Sequence, residues 1–436
     1  MAEHQTTKAI IEDLILPRRK VLRSINGETE MKMRYIPGPT RESLTTRFGE
    51  AFPAPTRYLE SDLGITAMYD LGTGEPGPDE KGEEEGEEVE TRNLLMIHGL
   101  NTPALGLVPL ARAIQSQSQS LSLKSENKNK NKRKTKTKTH IILFDLWGHG
   151  HSSTPLAAHS AHIFHSQVYQ VLLSSSSSSS SFMTQGFHIL GFSFGGCLAA
   201  KFALYNPNLV KSVALVAPAG VAPIEVDLLT FLTSDEEAES QLQSQSTTKK
   251  QHPPATEIEK EKQREDKVLA FLEDSPQITL PPDWEPRMRR GELVAEALRQ
   301  WELDEHAGYR QTVLSVFREE GNVFGAEAFF RRFAAAANAT TTPTNKEEEE
   351  KKKKKGESFG KVLIILGGDD AICSEQQLLD LGFGEEEKKK KNGNENGNRN
   401  GNGNRVRIMT IEGADHALVR THTRVIAKAL MELWEE

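Results

Sequence analysis

The chain has 436 residues, and Lys+Arg 54 against Asp+Glu 62 leaves a formal charge of -8. The two signs fall in separate blocks and form no basic face, which argues against nucleic-acid binding. A prior of about 150 residues per domain suggests roughly three domains, but much of the chain is simple polar sequence that cannot build a core, so one large domain with an insertion is expected.

Residues 1 to 50 read as an N-terminal extension, with Ile10, Ile11, Leu14 and Ile15 able to form a short helix before Pro17. Met1 to Lys20 lacks the apolar core of a signal peptide, and no apolar run approaches the ~18 residues of a membrane span. Two cysteines, Cys197 and Cys373, are too few for a disulfide framework. A soluble, cytoplasmic protein without stable membrane insertion is the expectation. The sequon Asn338-Ala339-Thr340 then reads as plain surface sequence.

Arg57 to Leu71 reads as two short strands around Asp62-Leu63-Gly64, a hairpin at a sheet edge. Gly72 to Gly77 matches G-x-G-x-x-G, but Pro78 and the acidic run Glu83 to Glu90 follow where a helix would have to hold a pyrophosphate, so a turn and an acidic loop are expected and no dinucleotide. Leu94 to Ile97 is apolar throughout, as suits a strand buried on both faces of a parallel sheet. It ends at His98-Gly99-Leu100-Asn101, and a helix is expected from Pro103 to about Ile114.

Residues 115 to 139, rich in Ser, Gln, Lys and Asn, are expected to be a disordered loop, because they offer little apolar area against the entropy of ordering them. The next strand, Ile141 to Phe144, runs into Asp145 to Ser152, a turn dense in Gly and His. His140, His149 and His151 lack further Cys or paired acids at ligand spacing, so no metal is expected there. A helix over Ala157 to Leu173 and the serine tract 174 to 181 lead to the apolar strand Phe187 to Leu190.

That strand is followed by Gly191-Phe192-Ser193-Phe194-Gly195, a G-x-S-x-G pattern before an Ala-rich helix to Tyr205, which reads as strand, sharp turn and helix. Val213 to Val216 is another buried strand. From 221 to 356 the pattern changes to polar tracts and amphipathic helices, among them Leu293 to Trp301, Val313 to Phe317 and Phe324 to Phe333, and this block reads as an insertion in the sheet. The charged run 347 to 355 and the Lys/Asn/Gly insert at about 385 to 404 read as solvated sequence. The sheet resumes with Val362 to Leu366 and ends with Val406 to Ile411, before a terminal helix to about Trp434. The expected division is therefore an extension (1–50), a core in two parts (51–220 and 357–436) and a helical insertion (221–356).

In an open parallel α/β sheet the carboxyl ends of the strands converge on one crevice. Ser193 would be a nucleophile there, His416 a general base just past the last strand, and Asp370 the acid that orients the imidazole. Asp369, and Glu225 or Asp227, compete with Asp370. The backbone N–H groups of Phe194 and of Leu100 or Asn101 would hold an oxyanion. His98 reads as a residue that shapes this loop, Asp145 as the anchor of its turn, and Cys197 as a small buried residue.

His98-Gly99, the D-x-x-G-H-G-x-S stretch from Asp145 to Ser152, Gly191 to Gly196, Gly367 to Asp370 and Gly413 to His416, in this order, resemble the α/β-hydrolase superfamily. The resemblance covers most of residues 57 to 436 outside the inserts. It implies an α/β fold with an eight-stranded, mostly parallel sheet and a helical cap supplied by 221 to 356. The chain departs from the family in its long hydrophilic inserts and in Ala371 and Cys373, where many relatives have a proline-containing turn. The expected function is a serine hydrolase that cleaves a small or medium apolar carboxylic ester without a cofactor. Hydrolysis of a carbon–carbon bond in a diketone-like substrate, and a fold retained only for binding, are the alternatives. Oligomeric state is not legible.

Overall fold

The computed structural model describes residues 34–74, 88–125, 135–175, 181–222, 257–273, 278–339, 360–384 and 405–435. The expectations for the helix at 10–15, the serine tract at 176–180, the charged run at 347–355 and the insert at 385–404 lie outside them.

The strands in chain order are β1 (Tyr35–Ile36), β2 (Arg57–Ser61), β3 (Gly64–Asp70), β4 (Glu88–Ile97), β5 (Thr135–Phe144), β6 (Thr154–Pro155), β7 (Phe187–Phe192), β8 (Val210–Val216), β9 (Lys361–Gly367) and β10 (Val406–Ile411). Eight of them form one sheet in the order β10-β9-β8-β7-β4-β5-β3-β2, and β1 pairs with β6 apart from it. All neighbours from β5 to β10 are parallel. The hairpin β2-β3 runs antiparallel at the edge, as its sequence predicts.

The apolar strands owe their composition to burial on both faces. Leu94, Met96, Leu190, Val216 and Ile365 face a layer that includes Leu110, Ile114, Ile426 and Leu430 from the helices Val108–Ser125 and Thr423–Glu435. Their neighbours Leu95, Ile97, Ile189, Leu215 and Ile364 face Phe164 and Val168 of the helix Ala161–Ser174, and Leu198 and Phe202 of the helix Phe194–Tyr205. Between β8 and β9 lie the helices Glu257–Glu273, Trp284–Arg289, Ala295–Glu305, Tyr309–Arg318 and Glu327–Asn338, the last four joined by turns. No described helix is long and apolar enough to cross a membrane.

Two expectations are corrected. The helix after the His98 loop continues to Ser125, and β5 starts at Thr135, where a disordered loop over 115 to 139 is expected from composition. Polar residues are buried there by hydrogen bonding: Gln115 Nε2 donates to the Gly72 carbonyl at 2.9 Å, Ser118 Oγ to the Thr137 carbonyl at 3.1 Å, and Thr139 Oγ1 to Ser118 Oγ at 3.1 Å. Likewise Glu88 to Glu90, read as the end of an acidic loop, belong to β4, whose ladder with β5 begins at Glu88 and Thr135.

Strand β4 lies between β5 and β7, so the strand order reverses at β4. The loops after β4 and β7 therefore open side by side at a topological switch point, where ligands of such sheets bind.

Candidate active site

Ser193 is one of two described non-glycine residues with positive φ, at φ 53° and ψ -120°. Such a conformation costs of order 1–3 kcal/mol and persists only when the surroundings impose it. Here its N–H donates to the Val216 carbonyl at 2.9 Å, and its carbonyl accepts from Gly196 N–H at 2.8 Å and Ala219 N–H at 2.9 Å. The flanking glycines are needed for space, since a Cβ on Gly191 would collide with the Gly195 carbonyl and one on Gly195 with the Ile97 carbonyl. The sharp turn leaves the Ser193 side chain at the start of a helix, half-buried.

Ser193 Oγ lies 2.9 Å from His416 Nε2, and His416 Nδ1 lies 2.8 Å from Asp370 Oδ2. An ionised carboxylate only accepts, so the proton belongs on Nδ1 and the Nε2 lone pair faces the hydroxyl. The Asp370 side chain is fully buried, and its other oxygen accepts from Ile372 N–H at 2.8 Å and Cys373 N–H at 3.2 Å. These two amides occupy the turn in which Ala371 and Cys373 depart from the family pattern. Ser374 and Gln377 then cap the next helix reciprocally and hold the turn. Asp369 is exposed, while Glu225 and Asp227 lie outside the described residues.

Gly99 brings the loop after β4 against the nucleophile, where a Cβ on it would stand 3.0 Å from the Ser193 Cβ. The N–H groups of Leu100 and Asn101 belong to this loop, and that of Phe194 is an orphan donor of a helix's first turn. His98 Nδ1 donates to the Gly99 carbonyl at 2.6 Å while Nε2 accepts from Leu146 N–H at 2.8 Å, and burial pulls its pKa down. Both ring nitrogens of His98 are thus committed to the backbone.

Asp145 is fully buried beneath the loop. It accepts from Ala104 N–H, the Tyr69 hydroxyl and His151 N–H, each at 2.9 Å, and so ties the loop after β4 to β3 and to its own turn. Burial raises the Cys197 thiol pKa, which suits a packed residue. His140 pairs with Asp70 at 2.7 Å, and among the described residues no three His, Cys, Asp or Glu gather as metal ligands.

Three contacts from the helices between β8 and β9 have no signal in the sequence. Tyr309 donates its hydroxyl to the Leu100 carbonyl at 3.1 Å, Asn101 Nδ2 donates to the Leu272 carbonyl at 2.9 Å, and Glu302 Oε1 accepts from Gly150 N–H at 2.8 Å. Helical periodicity marks where these helices are apolar, and carries nothing about a hydroxyl that reaches another loop.

A family model described as alpha/beta hydrolase fold matches residues 93–393. Among solved structures, a membrane phospholipase A described as a novel bacterial virulence factor is 16% identical, with 90% of this chain and 89% of that one covered and a TM-score of 0.46. An enol-lactonase from Burkholderia xenovorans LB400 is 13% identical over 87% of this chain and 100% of its own, with a TM-score of 0.46. A thermophilic esterase from Thermogutta terrifontis is 13% identical over 85% and 93%, with a TM-score of 0.46. No curated protein matches the chain significantly. With well over half of its length matched by that model, on a mostly parallel eight-stranded sheet, the chain belongs to the alpha/beta hydrolase fold family.

Proposed function

We propose that the protein is a serine hydrolase that cleaves a small or medium apolar carboxylic ester through an acyl-enzyme, with Ser193 as nucleophile, His416 as base and Asp370 as the acid that orients it. The observation that carries this reading is the relay from Asp370 to His416 to Ser193, at 2.8 and 2.9 Å, ending on a serine held at a strained turn. Phe192, apolar and with its ring 5.3 Å from that of His416, favours an apolar acyl group.

Ser193 Oγ attacks the ester carbon as its proton passes to His416 Nε2. Asp370 stabilises the imidazolium that results. The oxyanion of the tetrahedral intermediate is met by Phe194 N–H and by the N–H of Leu100 or Asn101. Collapse expels the alcohol, which takes the proton from His416. A water then attacks the acyl-enzyme with His416 again as base, and the acid is released. The chemistry calls for no cofactor, and the helices between β8 and β9 serve as the cap.

Ser193→Ala is the test. It should abolish hydrolysis of a p-nitrophenyl ester series and labelling by a fluorophosphonate, with an unchanged unfolding midpoint. Retained turnover in the variant would sink the proposal.

A further inference from the structure

Leu100 is held on both sides. The Gly99 carbonyl before it accepts from His98 Nδ1 at 2.6 Å, and its own carbonyl accepts from the Tyr309 hydroxyl at 3.1 Å and faces His149 Nε2 at 3.1 Å. In a planar trans peptide unit C=O and N–H point in opposite directions, so pinning these carbonyls aims the N–H groups of Leu100 and Asn101 the other way. Among the described residues neither N–H has a hydrogen-bond partner.

His98 and His149 belong to the loops of the sheet, but Tyr309 comes from the helix Tyr309–Arg318, 209 residues further along the chain. Its ring is fully buried and stands edge-on to His149, 5.3 Å away at 87°. His149 in turn stands edge-on to His98 at 5.2 Å. Burial drives the His149 pKa well down, so the ring is neutral and has one N–H to share between the Leu100 carbonyl at 3.1 Å and the Trp147 carbonyl at 3.3 Å. At Leu100 the Tyr309 hydroxyl is the donor, because a carbonyl can only accept.

We propose that Tyr309 is a positioning residue of the oxyanion hole: through its hydroxyl, the inserted helices set the direction of the Leu100–Asn101 amides and make transition-state stabilisation depend on how those helices are docked. The Asn101 side chain adds a second bond to the same helices, at the Leu272 carbonyl. This inference rests on the serine-hydrolase reading above.

Tyr309→Phe keeps the ring and removes only the hydroxyl. On a p-nitrophenyl ester, kcat should fall ~5- to 30-fold with KM within about twofold, since a misaimed oxyanion donor is felt in the transition state alone. Affinity for a trifluoromethyl ketone, which adds to the serine hydroxyl as a tetrahedral oxyanion, should fall by the same factor. A variant with unchanged kcat and ketone affinity, or with its loss confined to KM, overturns the positioning role. Should Tyr309→Phe be too unstable to assay, Asn101→Ala cuts the other bond to the inserted helices and should give the same split; no change in kcat there overturns the proposal as well. A wild-type protein inert to esters and fluorophosphonates overturns the hydrolase reading and this inference with it, whereas an active wild type beside an equally active variant overturns the positioning alone.

Discussion

His416 and the histidines of the buried loops are the same side chain in two surroundings. His416 lies past the end of β10 with its side chain 24% exposed, one ring nitrogen on a carboxylate and the other on a hydroxyl. His98, His149 and His306 are buried, and their ring nitrogens meet backbone carbonyls and amides. A carboxylate and a hydroxyl let an imidazole gain and lose a proton in place. At His98 and His306 a carbonyl on one ring nitrogen and an amide on the other fix one neutral tautomer, and at all three burial penalises the charged form. His98 and His416 both follow sheet strands at the same edge, so position alone does not distinguish them; their partners do.

The comparison breaks most sharply at His416. His416→Gln should lower kcat by ~10⁴- to 10⁶-fold, the scale on which removing a base that acts as a unit with its nucleophile is felt. The unfolding midpoint should stay near that of the wild type, and a variant within tenfold of wild-type kcat would place the base elsewhere. Asp370→Asn should follow at ~10³- to 10⁴-fold, because an amide can donate to Nδ1 and so favours the wrong tautomer. Asp369→Asn, one residue away and exposed, should change kcat by less than about threefold. A reversed order of these two variants would move the acid to Asp369.

Much of this was legible in the sequence because it is local. Apolar runs mark the strands β7 to β9, β10 carries Val406, Ile408, Met409 and Ile411, and Ser193, Asp370 and His416 each follow a strand within a few residues. The β2-β3 hairpin and three of the five described helices between β8 and β9 were legible for the same reason, whereas Glu257–Glu273 and Trp284–Arg289 carry no such pattern in the reading of the sequence. What stayed hidden is polar sequence made buriable by hydrogen bonds. Gln115, Ser118 and Thr139 are buried in an ordered helix and strand, yet by composition they look like loop. The bond from Tyr309 to Leu100 spans two elements that nothing in either segment pairs, and Glu302 is a buried carboxyl on a helix whose charge pattern looks solvated.

On the buried side of the comparison, His98→Ala should act first on stability. It leaves the buried Leu146 N–H without an acceptor and releases the Gly99 carbonyl, at a cost of about 1–3 kcal/mol in urea unfolding. A drop in kcat should accompany it as the loop loosens, but one far smaller than that of His416→Gln. A loss of activity as large as His416→Gln gives, with stability unchanged, would put His98 among the reacting groups.

The smallest effect sharpens the contrast through pH. His306 Nε2 donates to the Ser152 carbonyl at 2.8 Å, its Nδ1 accepts from Gly308 N–H at 3.3 Å, and burial lowers its pKa to about 4; His159 is lowered to about 4 by the same cause. In the unfolded chain both would titrate at about 6.5. Between these values the unfolded state binds protons that the folded state refuses, so stability rises with pH across the window. The contribution of each ring is therefore fully present above pH ~6.5 and is lost as pH falls towards about 4. Glu302 acts with the opposite sign: burial holds its carboxyl pKa well above the usual value, so the folded chain keeps a proton that the unfolded chain gives up, and that contribution fades as pH rises. Since Glu302 is present in both proteins, comparing His306→Gln with the wild type isolates the ring. The variant should show a slope of unfolding free energy against pH that is shallower below pH 6.5 by up to ~1.4 kcal/mol per pH unit, the value for one proton. Urea unfolding at pH 5, 6 and 7.5 measures it. Parallel slopes for the two proteins would mean that His306 titrates alike in the folded and unfolded chains, and burial would then not set it apart from His416.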